Sequence, residues 1–384
     1  MLVPVRSLTL GLADPHPLTA RVVEGAAERL RVAGEAFASA GYEVQTLRIS
    51  TRSVFSDMAS AGRKGLSVYA GEMALWLESA GIQFCSLGAA HLGASAELAG
   101  AAVDIIAGHE AINCSVEVGT VDAGLDLAAA RAAAGVMQEL AHSTDEGFGN
   151  FNFAAIACVP PGTPFFPAAY HDGPPALSVA LQGAGIVAGA LSGGASLGEV
   201  ATRVKEAMVE HAGPVVKLAE STATGVGVAF GGIDLSPAPD GDDSIAAAIE
   251  KAGLGPMGTA GTLSLVGQIT AALRDTGLPT CGYCGLMLPV MEDATLAKRW
   301  EEGLVGSDQL LAYSAVCGTG LDTVPVPGRA TTGQLARLVC DVGTLAVKLH
   351  KPLSARLLPV PGKEAGERTA FSSPYLTNTV IKDI

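Results

Sequence analysis

Acidic, cysteine and histidine side chains recur at glycine-bounded turns that follow or interrupt apolar runs. The clearest are Phe230-Gly231-Gly232-Ile233-Asp234-Leu235-Ser236-Pro237, Cys281-Gly282-Tyr283-Cys284-Gly285, Leu288-Pro289-Val290-Met291-Glu292-Asp293 and Cys317-Gly318-Thr319-Gly320-Leu321-Asp322. Such turns put polar groups at strand ends, where α/β proteins build their sites. His171 is the first candidate for acid/base chemistry. It closes a proline-rich loop beside Tyr170 and Asp172, and imidazole titrates near neutral pH and also ligates metals. Its plainer role would be to hydrogen-bond that loop together.

The carboxylates are the other half of the case. Glu117 and Asp122 flank the turn after the fourth expected strand, Asp234 ends a strand, Glu292 follows the 280–290 segment, and Asp322 follows a Gly-Thr-Gly turn. Converging at one mouth, they would hold Mg²⁺ or Ca²⁺, which prefer oxygen ligands, or Zn²⁺. They would instead divide into an acid and a base if burial raised one of them. A single Asp at a turn also serves as a local cap. Cys317, before its glycine turn, is a nucleophile only if a base lies near. Tyr170, Cys284 and Ser236 sit beside these groups and are assigned to substrate contacts. Cys281 and Cys284 form a C-x-x-C with no second pair to complete a zinc site, so two small buried residues is the simpler reading. Neither glycine cluster, at 225–232 or 318–320, completes a P-loop or a G-x-G-x-x-G. No nucleotide is expected.

These residues need elements to position them. Strands are expected at 7–12, 42–49, 82–87, 112–118 and 153–159, separated by helices at 18–40, 68–80, 95–107 and 125–141. Such alternation argues for parallel strands with crossover helices. Further on, the spacing predicts strands at 177–181, 226–235, 312–317, 323–326 and 353–359. Helices are expected at 196–223, 244–252, 262–273, 294–302 and 332–345. The apolar, twice-glycined stretch 280–290 reads as a hairpin. The chain reads as one large α/β unit over residues 1–384, with a weak subdivision near 150.

Composition bounds the class. The chain has 384 residues, 49% of them apolar and only 16% charged, with 48 glycines and a net charge of −14. That charge repels a phosphate backbone, so nucleic acid is not an expected partner. Seven cysteines, an odd number scattered through apolar runs, suit reduced thiols in a cytoplasmic protein. No secretory leader pattern and no run long enough to span a membrane is apparent. Apolar helix faces permit a homodimer.

The turns at 230–239, with Gly241-Asp242-Asp243-Ser244, Gly258-Thr259-Ala260-Gly261-Thr262, 285–293, 317–322 and Arg356-Leu357-Leu358-Pro359 before Gly362-Lys363, resemble domain of unknown function family 711. Cys114-Ser115-Val116 with Gly119 and the 164–171 loop extend the resemblance over nearly the whole chain, more loosely before residue 80. Ala260 stands where many members have histidine, and Cys284 or Met291 where they have serine. The resemblance implies a pyruvate formate-lyase-like fold, a ten-stranded α/β barrel with a hairpin threaded through it, and makes 281–289 the candidate hairpin. Glycyl-radical chemistry would require an Arg-Val-Ser-Gly-Tyr-like loop, and Ser372-Ser373-Pro374-Tyr375-Leu376-Thr377 is not one. The likeness is therefore expected to be one of fold alone.

The resulting expectation is a cytoplasmic enzyme acting on a small polar metabolite by hydrolase- or lyase-type acid/base chemistry, with an optional divalent metal. The alternative is a non-catalytic, regulatory protein that binds an amino acid or related metabolite in the same cavity.

Overall fold

The computed structural model describes residues 2–94, 96–240 and 242–384. The expected helix start at Ser95, and Gly241 of the 241–244 motif, lie outside them. Ten strands form one sheet: β1 (Val5–Gly11), β2 (Val44–Ser50), β3 (Phe84–Ala90), β4 (Ile112–Thr120), β5 (Gly124–Leu125), β6 (Phe153–Ala157), β7 (Ala176–Leu181), β8 (Ala229–Asp234), β9 (Gly320–Pro327) and β10 (Leu353–Val360). Their order is β8-β7-β1-β2-β3-β4-β6-β10-β9, with the short β5 attached to β4.

The five central strands β1, β2, β3, β4 and β6 are parallel, as the alternation predicts. The outer pairs run the other way. β7 is antiparallel to β1 and β10 to β6, while β8 follows β7 and β9 follows β10. The expected subdivision near 150 falls in a 3-10 segment, Asp145–Asn152, that leads directly into β6 of this sheet.

The sheet does not close into the expected barrel; its path ends at β8 and β9. Residues 280–290 lie between these two edges, with Thr280 bridging parallel to Ile233 and Pro289 to Asp322. The expected hairpin is absent, because other groups take the N–H donors its ladder would need. Asp234 accepts from the amides of Tyr283 (3.1 Å) and Cys284 (3.2 Å), and the Ser236 hydroxyl accepts from Gly285 (3.2 Å). Gly318 donates to the Leu286 carbonyl at 2.7 Å. Gly285 and Gly318 meet backbone to backbone: a Cβ on Gly318 would lie 2.5 Å from the Gly285 carbonyl carbon.

The expected strand at 312–317 is also replaced. The chain is helical over Ser307–Ser314, with Leu310, Tyr313 and Ser314 buried at helical spacing. A short apolar run does not separate the two forms. A further helix, Ala184–Leu191, occupies an alanine- and glycine-rich stretch whose periodicity is too short to announce it.

The two faces of the sheet differ in chemistry. Residues paired across strands share a face. Leu8, Leu10, Ile49, Cys85, Val116 and Phe153 join the helices in the main core. The opposite face carries Ser7 paired with Thr46, Thr9 with Arg48 and Ser178, Arg48 with Phe84, Ser50 with Ser86, and Ser86 with Asn113. It continues through Ser115, Glu117 and Ser354. A smaller apolar cluster lies on this polar face, with Tyr283 against Ala154, Ile156 and Tyr170. The 280–290 segment therefore covers the polar face of the open sheet.

Candidate functional site: an arginine-lined pocket

A polar sheet face needs a reason to be buried. It borders a cavity of about 410 Å³ at the N-terminal ends of the central strands. Arg6 from β1, Thr46 and Arg48 from β2, Phe84 from β3, Asn113 from β4 and Arg356 from β10 line it, with Glu292 from the turn after the covering segment. Phe151, Phe165, Phe166 and Tyr375 add aromatic walls, and Glu43 and Asp240 bring two further carboxylates to the rim.

Two of the three guanidiniums are neutralised. Arg356 is buried and reaches two carboxylates, Asp322 through Nε at 2.7 Å and Glu292 through Nη2. Arg6 adds a longer contact to Glu292 at 3.5 Å and donates to Gln182 and the Pro239 carbonyl at 3.2 Å each. Burial pushes the Glu292 carboxyl upwards, while Arg356 and Arg6 pull it back and favour the charged form.

Arg48 is different. Its Nε donates to Thr46 at 2.8 Å, and its guanidinium carbon lies 5.3 Å from the centre of the Phe84 ring and 5.2 Å from that of Phe166. Among the described residues its two Nη groups have no acceptor. Burial, then the charge of Arg6, pushes Arg48 down to about 9. The rings on its guanidinium do not supply hydrogen-bond acceptors.

The ten expected site residues divide among several networks. Glu292 lines the pocket, and Asp322 is joined to it through Arg356. Asp234, Ser236 and Cys284 form the clamp on the covering segment, with Ser236 N–H donating to Asp234 at 2.9 Å. Burial pushes Asp234 up against three N–H bonds that lower it, and pushes the Cys284 thiol up to about 12. Glu117 and Tyr170 meet at the far ends of the central strands. Glu117 lies 3.3 Å from Nδ1 of His91 and accepts from Leu92 at 3.2 Å, while the Tyr170 hydroxyl donates to the Val159 carbonyl at 2.8 Å. His91 stands edge-on to Tyr170 at 5.2 Å.

The remaining three do not join the pocket. His171 is buried, with Nε2 at 2.9 Å from the Pro174 carbonyl and its ring against Gly11, where a Cβ would lie 2.1 Å from Nδ1. It holds its loop. Cys317 is buried, and Lys351 Nζ donates to its backbone carbonyl; its thiol makes no hydrogen bond among the described residues. Asp122 is exposed in the turn before β5. The five carboxylates expected to share a metal thus do not converge, and among the described residues no three of His, Cys, Asp and Glu gather at one point.

The arginines were legible only as anomalies. Arg6, Arg48 and Arg356 each interrupt an apolar strand, where a charge requires a partner. Tyr375 gives no such signal, because its place at the pocket depends on how the last loop folds back.

His16 fills a structural role. Nδ1 accepts from the Tyr69 hydroxyl at 2.7 Å, and Nε2 faces Thr51 Oγ1 at 3.0 Å and the Arg52 carbonyl at 3.2 Å. Burial lowers it from 6.5 to about 4. On acidification the unfolded chain takes up a proton before the folded one does, so this residue lowers stability as the pH falls from about 6.5 towards about 4. Between pH 7 and 5 the loss should be about 2 kcal/mol. Urea unfolding at the two pH values checks it. His16→Gln should be weaker at pH 7 with a shallower acid dependence, and identical slopes in the two proteins would refute the assignment.

Fold and site together define an α/β protein with an open, mostly parallel sheet and a pocket lined by three arginines, three carboxylates and aromatic rings. Residues 5–372 match the family described as Uncharacterised ACR (DUF711), and the chain belongs to that family. A UPF0210 protein of Pyrobaculum arsenaticum is 32% identical over 382 residues, covering 93% of this chain and 82% of that protein. One of Desulforudis audaxviator is 33% identical over 301 residues, covering 75% of this chain and 66% of the relative. One of Pyrobaculum aerophilum is 37% identical over 229 residues, 56% of this chain and 50% of the relative. No helix among the described residues is long and apolar enough to cross a membrane.

Proposed function

We propose that the protein binds a small organic anion in the arginine-lined pocket, as a metabolite-binding and regulatory protein. The observation that carries this reading is Arg48, a guanidinium facing a cavity with no acceptor for either Nη group among the described residues. A carboxylate accepting from them would supply the missing charge in fork geometry. A second reading, lyase- or hydrolase-type acid/base chemistry on the same ligand, is favoured by Glu292, a carboxyl pushed up by burial in that cavity. We also read the open sheet, with 280–290 laid between its edges, as the pyruvate formate-lyase-like barrel that the sequence resemblance implies. Seven free cysteines support a reducing, cytoplasmic setting.

Calorimetric titration with a panel of small carboxylates tests the binding. Arg48→Met should weaken the best of them by roughly 10- to 100-fold, the worth of a charge-assisted hydrogen bond. Stability should change little, since Arg48 is only half-buried and makes one side-chain hydrogen bond, to Thr46. Unchanged affinity in this variant would reject the reading. Turnover of a bound acid that disappears in Glu292→Gln would favour the catalytic version.

A further inference from the structure

Aromatic residues make up 5% of the chain, yet Phe84, Phe151, Phe165, Phe166 and Tyr375 all face this one cavity. They are arranged as a layered wall. Tyr375 lies parallel to Phe151 at 5.9 Å and 13°, Arg356 sits 5.0 Å from the centre of the same Phe151 ring, and Phe84 stands edge-on to Tyr375 at 6.4 Å. Phe84 is also one of the two rings against Arg48.

Tyr375 sits on a short loop with a pinned neck. Asn378 accepts from the Phe371 amide at 2.8 Å and from Thr369 Oγ1 at 2.9 Å, and donates to the Phe371 carbonyl at 3.0 Å. Beyond the tip, Leu376 is buried and Thr377 N–H donates to the Met291 carbonyl at 2.6 Å, one residue before Glu292. Between these anchors Tyr375 remains 54% exposed at the cavity. A large ring held in place with a free face beside a cation gains by stacking on another flat ring.

We propose that the anion is a planar, conjugated carboxylate, its acid group on the Nη edge of Arg48 and its flat body against Tyr375 and Phe84. This rests on the anion-binding reading and names the class of ligand. A saturated ring or an aliphatic chain could fill the same space. It would lack a flat π face to match the wall, so planarity is what the site selects.

Titration calorimetry with benzoate and with cyclohexanecarboxylate, against the unaltered protein, Arg48→Met and Tyr375→Ala, tests the proposal. Benzoate should bind more tightly, by roughly three- to tenfold, the range expected for one aromatic pair. Tyr375→Ala should erase that preference, bringing the two acids to equal affinity, and keep the unfolding midpoint. Arg48→Met should weaken both acids alike. Equal binding of the two acids by the unaltered protein would overturn planarity and leave the anion reading standing. Benzoate preference that survives Tyr375→Ala would overturn the role of this wall. Binding of neither acid would overturn both.

Discussion

Replacing Arg356 with methionine should cost about 3–5 kcal/mol of folding stability, the usual result of removing one partner from a buried ion network. Glu292 and Asp322 would remain in the interior with their principal countercharge gone, and Arg6 reaches only one of them, at 3.5 Å. Asp322 is already the less satisfied, since its Oδ2 has no partner among the described residues. The same physics supplies the control. Glu292→Gln with Asp322→Asn in the Arg356→Met background removes the stranded charges, and most of the loss should return. Urea unfolding of the single and triple variants measures both. A loss below about 1 kcal/mol in Arg356→Met would mean that water reaches the network and screens it.

Asp293→Ala should be nearly as damaging, at about 3 kcal/mol, because one carboxylate starts two helices. Oδ1 accepts from Leu296 at 2.9 Å in the first turn of Ala294–Glu301, and from the Ser244 hydroxyl at 2.5 Å. Oδ2 accepts from Ile245 (2.8 Å) and Ala246 (3.1 Å), the first residues of Ile245–Glu250. Losing an N-cap costs about 1 kcal/mol, and each buried amide left without an acceptor adds further. Asp293→Asn keeps an acceptor oxygen and should fall between. If thermal unfolding places the alanine variant level with the asparagine one, the second helix does not depend on this residue.

Asp293 also shows what the sequence could and could not reveal. Its position before a helical run identifies a cap for its own helix. The second helix, whose Ser244 precedes it by almost fifty positions, enters only through tertiary contact. The central strands were readable for the same local reason: each helix between them buries a regular stripe, as Val23, Ala26, Leu30, Ala33 and Phe37 do in Ala20–Ser39. The reversal at β7 and β10 was not, because a strand of either direction shows the same apolar pattern. The covering segment took a different shape from the one expected. Its glycines suggested a hairpin, whereas the donors of Tyr283, Cys284 and Gly285 go to Asp234 and Ser236. The candidate residues were chosen by type. Histidine and aspartate at turns drew attention, and Asp234 and His171 turned out to hold loops in place. Arg6 and Arg48 were passed over and Arg356 entered only as part of a family motif, although a charge among Val and Leu is the more unusual event.

The strand order also governs how the chain is made. The five central strands can pair roughly in the order in which they leave the ribosome. Their flanks, β1 and β6, then stay bare until residues 176–181 and 353–360 arrive to cover them. Pairings this distant form slowly, and an uncovered strand edge recruits other chains. The period before the last strand emerges is therefore when the nascent protein is most exposed to aggregation.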